Sequence, residues 1–181
     1  MNSQRIIIVT SGHFETPFLR KIESEVSKAY GIGVITQESH IDIAEHYNPS
    51  RRQYDANSLL NITGAMPENG ALKTVGIFRV DLYIPVLTYI FGQATLSGDS
   101  AIASLYRLRN ELYGLEKDEN LLLERFIKVI IHELGHSFGL IHCNNPKCVM
   151  RSSTYVEDID QKRAVFCPRC YSELKQSLPG L

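Results

Sequence analysis

The sequence predicts an α/β domain on a twisted mixed sheet, and three features predict it. The chain opens with a β-branched run, an amphipathic helical stretch and further strand-like runs; two later strand-like runs flank a tight-turn tetrapeptide; a long helix with an apolar stripe follows them. Strand, helix and strand in succession normally make a right-handed crossover between parallel strands, whereas a short turn joins antiparallel neighbours, so both pairings are expected in one sheet.

Taken in order, residues 5–10 are the compact β-branched run of a buried strand. Thr16 and Pro17 read as N-cap and first helical residue; Phe18, Ile22, Val26 and Tyr30 recur at fours, and Gly31 stands where that helix would end. Residues 32–35 and 41–44 are strand-like. Asn48-Pro49 opens a second helix expected to run to Ile62 and to close at Gly64. Residues 67–70 read as a turn and residues 73–80 as a third strand with Asp81 at its end. Residues 91–96 and 101–108, around Ser97-Gly98-Asp99-Ser100, form the antiparallel hairpin. Asp118-Glu119 then sets negative charge at the positive end of the long helix, whose Leu122, Phe126, Val129 and Ile130 face the core. Beyond it the chain is loop-rich, with a short helix over residues 168–178.

The long helix runs into His132-Glu133-Leu134-Gly135-His136-Ser137-Phe138-Gly139-Leu140-Ile141-His142. Helical residues four apart lie about 40° apart in rotation and about 6 Å along the axis, so His132 and His136 project from one face. Gly139 can turn left-handed and swing the backbone round, which brings His142 to the same point. Three histidines match the ligand count of a catalytic zinc, whose fourth position is left to water. Glu133 points along the same wall, where its carboxylate can take a proton from that water and pass it to a leaving amine. The bland alternative is a buried amphipathic helix that happens to carry His-Glu-x-x-His; the glycine and third histidine at the required offsets weigh against it.

All four cysteines follow residue 142. Cys143 with Cys148, and Cys167 with Cys170, make two thiolate pairs of the kind a tetrahedral structural zinc collects; disulfides and four unrelated buried thiols are the competing readings. The three-histidine and four-cysteine groups together imply two zinc ions per chain. His13, His40 and His46 have no partner spacing and are read as non-ligands. Arg107, Arg109, Arg151 and Arg169 could meet a substrate carboxylate, against the commoner reading of each as a solvated surface residue.

His-Glu-x-x-His-x-x-Gly-x-x-His is the signature of the metzincin clan of zinc peptidases. With Cys143, Cys148, Met150, Cys167 and Cys170 behind it, the chain resembles the archaemetzincin family, in which the zinc-binding stretch runs into Cys-x-x-x-x-Cys-x-Met and later Cys-x-x-Cys. The specific motifs cover residues 132–170, with supporting likeness at residues 91–94 and 101–109. The resemblance implies zinc ligands at His132, His136 and His142, a general base at Glu133, and Met150 as an apolar cushion under the histidines. It also implies a metzincin-type fold, with one antiparallel edge strand over the active-site helix. An extended peptide could add to that edge through main-chain hydrogen bonds. Some metzincins carry a Tyr two residues past the Met; here Ser152 stands there, and Tyr155 is the nearest candidate for that part.

Composition bounds the rest. At 181 residues and 44% apolar, the chain suits one domain over residues 1–181, divided by a cleft into an upper part, residues 1–139, and a lower part, residues 140–181. A net charge of −1 offers no footprint for nucleic acid. No apolar stretch approaches the ~20 residues of a membrane span, and the N-terminal apolar run is too short for a secretory leader. A monomeric cytoplasmic protein is expected. With no cysteine before residue 143, a cysteine-type latency switch has no residue to use, and the whole chain is read as the mature form. The function expected is zinc-dependent peptide-bond hydrolysis. The alternatives are a catalytically weak or inactive zinc protein that holds extended peptides in the same groove, and amide hydrolysis on a non-peptide substrate.

Overall fold

β1 (Arg5–Ser11) carries four consecutive buried aliphatics, Ile6 to Val9, because both faces of this strand are covered. The computed structural model describes residues 5–39, 41–66 and 71–178. In chain order there follow α1 (Thr16–Tyr30), β2 (Val34–Ser39), two short strands β3 (Tyr47–Asn48) and β4 (Gln53–Asp55), then α2 (Ala56–Gly64) and β5 (Ala71–Phe78). β6 (Leu82–Tyr83), β7 (Gly92–Ala94) and β8 (Ser100–Ser104) precede the long α3 (Glu119–Ser137) and two short helices, α4 (Val156–Gln161) and α5 (Pro168–Ser177). The main sheet has the order β2-β1-β5-β8-β7, parallel throughout except for β7, which lies antiparallel to β8 at the edge. β3, β4 and β6 form a small second sheet.

The α/β class, the parallel opening crossover, the hairpin and the antiparallel edge strand stand as expected; several boundaries do not. α1 is capped at Glu15 rather than Thr16, which is already helical, with Gly31 left-handed behind it at φ 68°. The second strand starts at Val34 and runs on to Ser39. No strand forms over residues 41–44: the Asp42 carboxylate accepts from the Ala44 N–H at 3.0 Å, a local bond that competes with a ladder, and a 3-10 turn follows over Ala44–His46. Asn48 opens no helix. Its side-chain oxygen accepts from the N–H groups of Ser50 and Arg51, making a turn between β3 and β4, and Arg52 then goes left-handed at φ 55°. α2 begins instead at Ala56, where Asp55 accepts from the Asn57 N–H. Residues 101–108 split into β8 and a 3-10 turn over Tyr106–Leu108. The expected turn at residues 67–70, and His40, lie outside the described residues.

α3 packs under the β8 end of the sheet and against α1, and it is held there by polar bonds as well as by its apolar stripe. The Tyr30 hydroxyl, at the last residue of α1, donates to the Ile131 carbonyl at 2.6 Å inside the core. Asp118 caps the helix by accepting from the Leu121 N–H. Arg125 reaches α4 through a bidentate pair with Asp160, 2.7 Å for each bond, and also donates to the Leu108 carbonyl and the Asn110 side chain. Among the described residues no helix is long and apolar enough to cross a membrane.

Candidate active site

The C-terminal end of α3 decides where the histidines meet. Gly139 is left-handed at φ 93°; its N–H donates to the His136 carbonyl and the Leu140 N–H to the Gly135 carbonyl, which together close the helix in a Schellman turn. The Ser97 N–H, from the β7–β8 turn, donates to the same His136 carbonyl at 3.0 Å, so the edge hairpin grips the helix end directly. The reversed chain carries His142 back over the helix. The ring centroids of His132, His136 and His142 then stand 4.6, 4.9 and 5.3 Å apart, with one nitrogen of each within 4.8 Å of the others.

The tautomers follow from the hydrogen bonds. His132 Nδ1 stands 2.8 Å from the Val149 carbonyl and His136 Nδ1 2.7 Å from the Leu140 carbonyl. A carbonyl oxygen only accepts, so both Nδ1 atoms carry the proton and both Nε2 atoms present lone pairs. Those two lone-pair nitrogens face each other at 3.1 Å. Such a contact is repulsive unless a cation lies between them and the third imidazole, and three converging neutral imidazoles are the donor set of a zinc site. Burial, the leading cause, pushes all three imidazoles below their ordinary value, which keeps them neutral.

Glu133 lines the same cleft and is 7% exposed. Burial raises its carboxyl to about 8, with the Lys162 ammonium pulling the other way. Room for it comes from β7: a Cβ on Gly92 would lie 2.6 Å from Glu133 Cγ and 2.6 Å from the Ile102 carbonyl. Met150 is fully buried beneath α3, and a Cβ on Gly135 would collide with its sulfur. Gly92, Gly135 and Lys162 were not identified by sequence reasoning. The two glycines lie in stretches already singled out, but only the packing tells why they are glycine, and nothing in the sequence marks Lys162. Tyr155 is 64% exposed on the cleft wall, at the N-cap of α4. Among the described residues His13 and His46 stand apart from both metal-compatible groups. None of the four noted arginines lines the cleft. Arg107 pairs with Asp81 and Arg169 faces Cys143.

The four cysteines form a second group, each sulfur within 4.8 Å of the others and none in a disulfide. Cys143 and Cys167 sulfurs are 3.8 Å apart, nearly twice the ~2.05 Å of a disulfide and close to the edge of a tetrahedron with ~2.3 Å metal–sulfur bonds. Donors already surround them: the Asn145 N–H and Arg169 face Cys143 and the Cys167 N–H faces Cys148. The N–H of Cys170 holds the Cys167 thiol down to about 7, whereas burial pushes Cys170 and Cys148 up. The donor set suits zinc.

Known proteins align with this chain over nearly its whole length. The model of peptidase family M54 matches residues 18–176. The archaemetzincin of Thermococcus kodakarensis is 36% identical over 179 residues, 96% of each chain, and that of Pyrococcus furiosus 38% identical over 96% of this chain and 93% of its own. Among solved structures, the archaemetzincin of Methanopyrus kandleri superposes with a TM-score of 0.86 at 32% identity, covering 99% of this chain and 97% of its own. A zinc-dependent peptidase from Methanocorpusculum labreanum superposes with a TM-score of 0.82 at 29% identity, covering 93% and 99%. Sequence, fold and the grouped histidines and cysteines therefore agree that the chain is a zinc metallopeptidase belonging to peptidase family M54, the archaemetzincins.

Proposed function

We propose that this chain hydrolyses peptide bonds at a zinc held by His132, His136 and His142, with Glu133 as the proton shuttle, and that Cys143, Cys148, Cys167 and Cys170 hold a second, structural zinc. Family membership implies peptide or protein substrates. The observation that carries the reading is the pair of bare Nε2 atoms at 3.1 Å, with a third imidazole and a buried carboxyl in the same cleft. Bound there, zinc supplies Lewis acidity, which acidifies water and polarises a carbonyl. Glu133 takes the proton from the attacking water and returns it to the leaving amine; burial favours the protonated carboxyl that the second transfer needs, and a cation on the histidines would favour the ionised one that the first needs. β7, the edge strand, lines the cleft through Gly92, Gln93 and Ala94, with Phe91 just before it, so an extended substrate can be held by main-chain bonds beside Glu133. In this reading the cleft separates an upper part, residues 1–139, from a lower part, residues 140–181, and the protein acts as a monomer.

The test replaces Glu133 with Ala and measures zinc content, peptide cleavage and peptide binding on one preparation. Zinc and affinity should persist while the rate falls by about a hundred- to ten-thousandfold. Equal, slow cleavage by parent and variant would move the activity elsewhere and leave the chain a peptide-binding protein. Loss of zinc together with rate would make Glu133 a support of the metal rather than a base.

A further inference from the structure

Of the charged side chains along the cleft, Lys162 is the one given no contact with substrate, water or metal in the hydrolysis proposed above. It is 4% exposed, yet it lines the cleft together with Val129, Ile159, Ser153 and Tyr155. An ammonium has three donors. One goes to the Arg151 carbonyl at 2.8 Å, and among the described residues Lys162 makes no ion pair, not even with nearby Glu133. A second polar group on this wall is also unspent: the Ser153 hydroxyl is buried without a partner. Two under-used polar groups on residues that line the same cleft are costly to the free protein, and a small side-chain movement that lets an anion reach them compensates that cost.

Its place relative to the reacting centre is fixed by the neighbouring bonds. Arg125 pairs with Asp160, and Lys128 donates to the Ile159 carbonyl, so the end of α4 lies beside residues 125–129 of α3. That is one to two helical turns before Glu133, or about 5–11 Å along the axis. An extended peptide advances about 3.3 Å per residue, so a group at Lys162 belongs to a residue about two or three positions from the scissile bond. Val129 and Ile159 supply apolar walls on the way in.

We propose that Lys162, assisted by Ser153, binds a carboxylate of the substrate close to the scissile bond: the side chain of an acidic residue or the free C-terminus. This deepens the reading of the cleft as a peptide site and rests on it. Lys162 is then a specificity residue.

Zinc-replete protein is given matched peptides, with Glu or Gln at each of the three positions on either side of the cleaved bond and with a free or amidated C-terminus. The wild-type kcat/KM should favour one carboxylate form over its amide twin by roughly ten- to a hundredfold, the range of a hydrogen bond to a charged group. The pair that shows the ratio identifies the source. Lys162→Met should abolish the ratio, whatever change it makes through Glu133 to the rate common to both members of a pair, and Ser153→Ala should narrow it. If wild type treats every pair alike, or if Lys162→Met slows all peptides equally and keeps the ratio, Lys162 merely pins the Arg151 carbonyl and the proposal falls. Should Lys162→Met fail to fold, the wild-type ratio and its narrowing in Ser153→Ala carry the decision, and an unchanged ratio overturns the proposal. If no peptide is cleaved, the peptidase reading fails separately, and the same pairs are compared by binding to wild type: tenfold tighter carboxylate peptides uphold the pocket and equal affinities overturn it.

Discussion

At Gly92 the obstacles to a side chain are the Glu133 methylene on one side and the Ile102 main-chain oxygen on the other. The first could rotate away but the second is backbone, so Gly92→Ala must shift β7 or displace the carboxyl. Overpacking of this kind costs about 1–3 kcal/mol, and displacing the carboxyl would slow the proton transfer proposed for it. Gly92→Ala should therefore retain zinc, lose that much stability in chemical denaturation and fall at least tenfold in kcat; a variant matching wild type on both counts would show that the strand has slack. Glu133 also predicts a pH effect. Its folded-state value, about 8, lies above the ordinary 4.5, so the folded protein holds a proton that the unfolded chain releases, and stability falls as pH rises between those limits. The depressed histidines act in the opposite sense below 6.5 and Lys162, lowered to about 8, in the opposite sense above it. The histidine contribution is shared with Glu133→Gln, whereas Lys162 interacts with Glu133 and titrates above about 8, so the difference reports the carboxyl below that pH. In protein freed of metal at the histidines, wild-type Tm relative to Glu133→Gln should decline from pH 4.5 toward about 8. A constant difference would place an ionised Glu133 in the fold.

Elements were legible in the sequence where one physical signal dominated. The β-branched run of β1, the fourfold spacing of α1 with its left-handed Gly31, and the Asp118 cap of α3 each left little competition. They failed where a short polar side chain had two uses: Asp42 and Asn48 both bond locally to the main chain, one replacing a strand and the other a helix start. α4 went unforeseen because its six residues are held from outside, with Asp160 on the buried Arg125 and the Asp158 carboxylate accepting from the Thr154 and Tyr155 N–H groups. The candidate site divides in the same way. The histidines and cysteines proposed as ligands and the glutamate proposed as base show as spacing, whereas Gly92 and Lys162 matter only through elements that the fold brings beside Glu133. Arg125 is the tie between two of those elements. Arg125→Met leaves Asp160 unpaired and two further acceptors unfilled; one-sided loss of a buried pair costs roughly 3–5 kcal/mol, and less here because the Asp160 side chain is 33% exposed. Amide exchange over residues 151–162 should accelerate well beyond that of β1 and β5. Uniform acceleration would mean that α4 does not open on its own.

On the scale of the molecule, the two donor groups sit in consecutive positions, His142 and Cys143, yet face different fates. The histidine group opens on the cleft, where His142 itself is exposed. Three of the four cysteines are buried, and the segment they enclose contains Met150, the residue directly under the histidine-bearing turns of α3. The Cys143 N–H also donates to the Met150 carbonyl, so the sulfur group and the floor of the histidine group share one piece of backbone. A metal on the cysteines would hold the lower part together and contribute directly to folding, whereas a metal on the histidines can leave with the fold intact. Elemental analysis of protein purified without added metal should accordingly find two zincs per chain. A mild chelator should remove one, with all activity, while the melting transition changes little; the second should leave only with thiol modification or unfolding. Cys167→Ser should lower both occupancies, the second because Met150 is no longer held under α3. One zinc in the parent together with an unperturbed melt for Cys167→Ser would leave the cysteines as a packed thiol cluster, and the support of the histidine site would then come from core contacts alone.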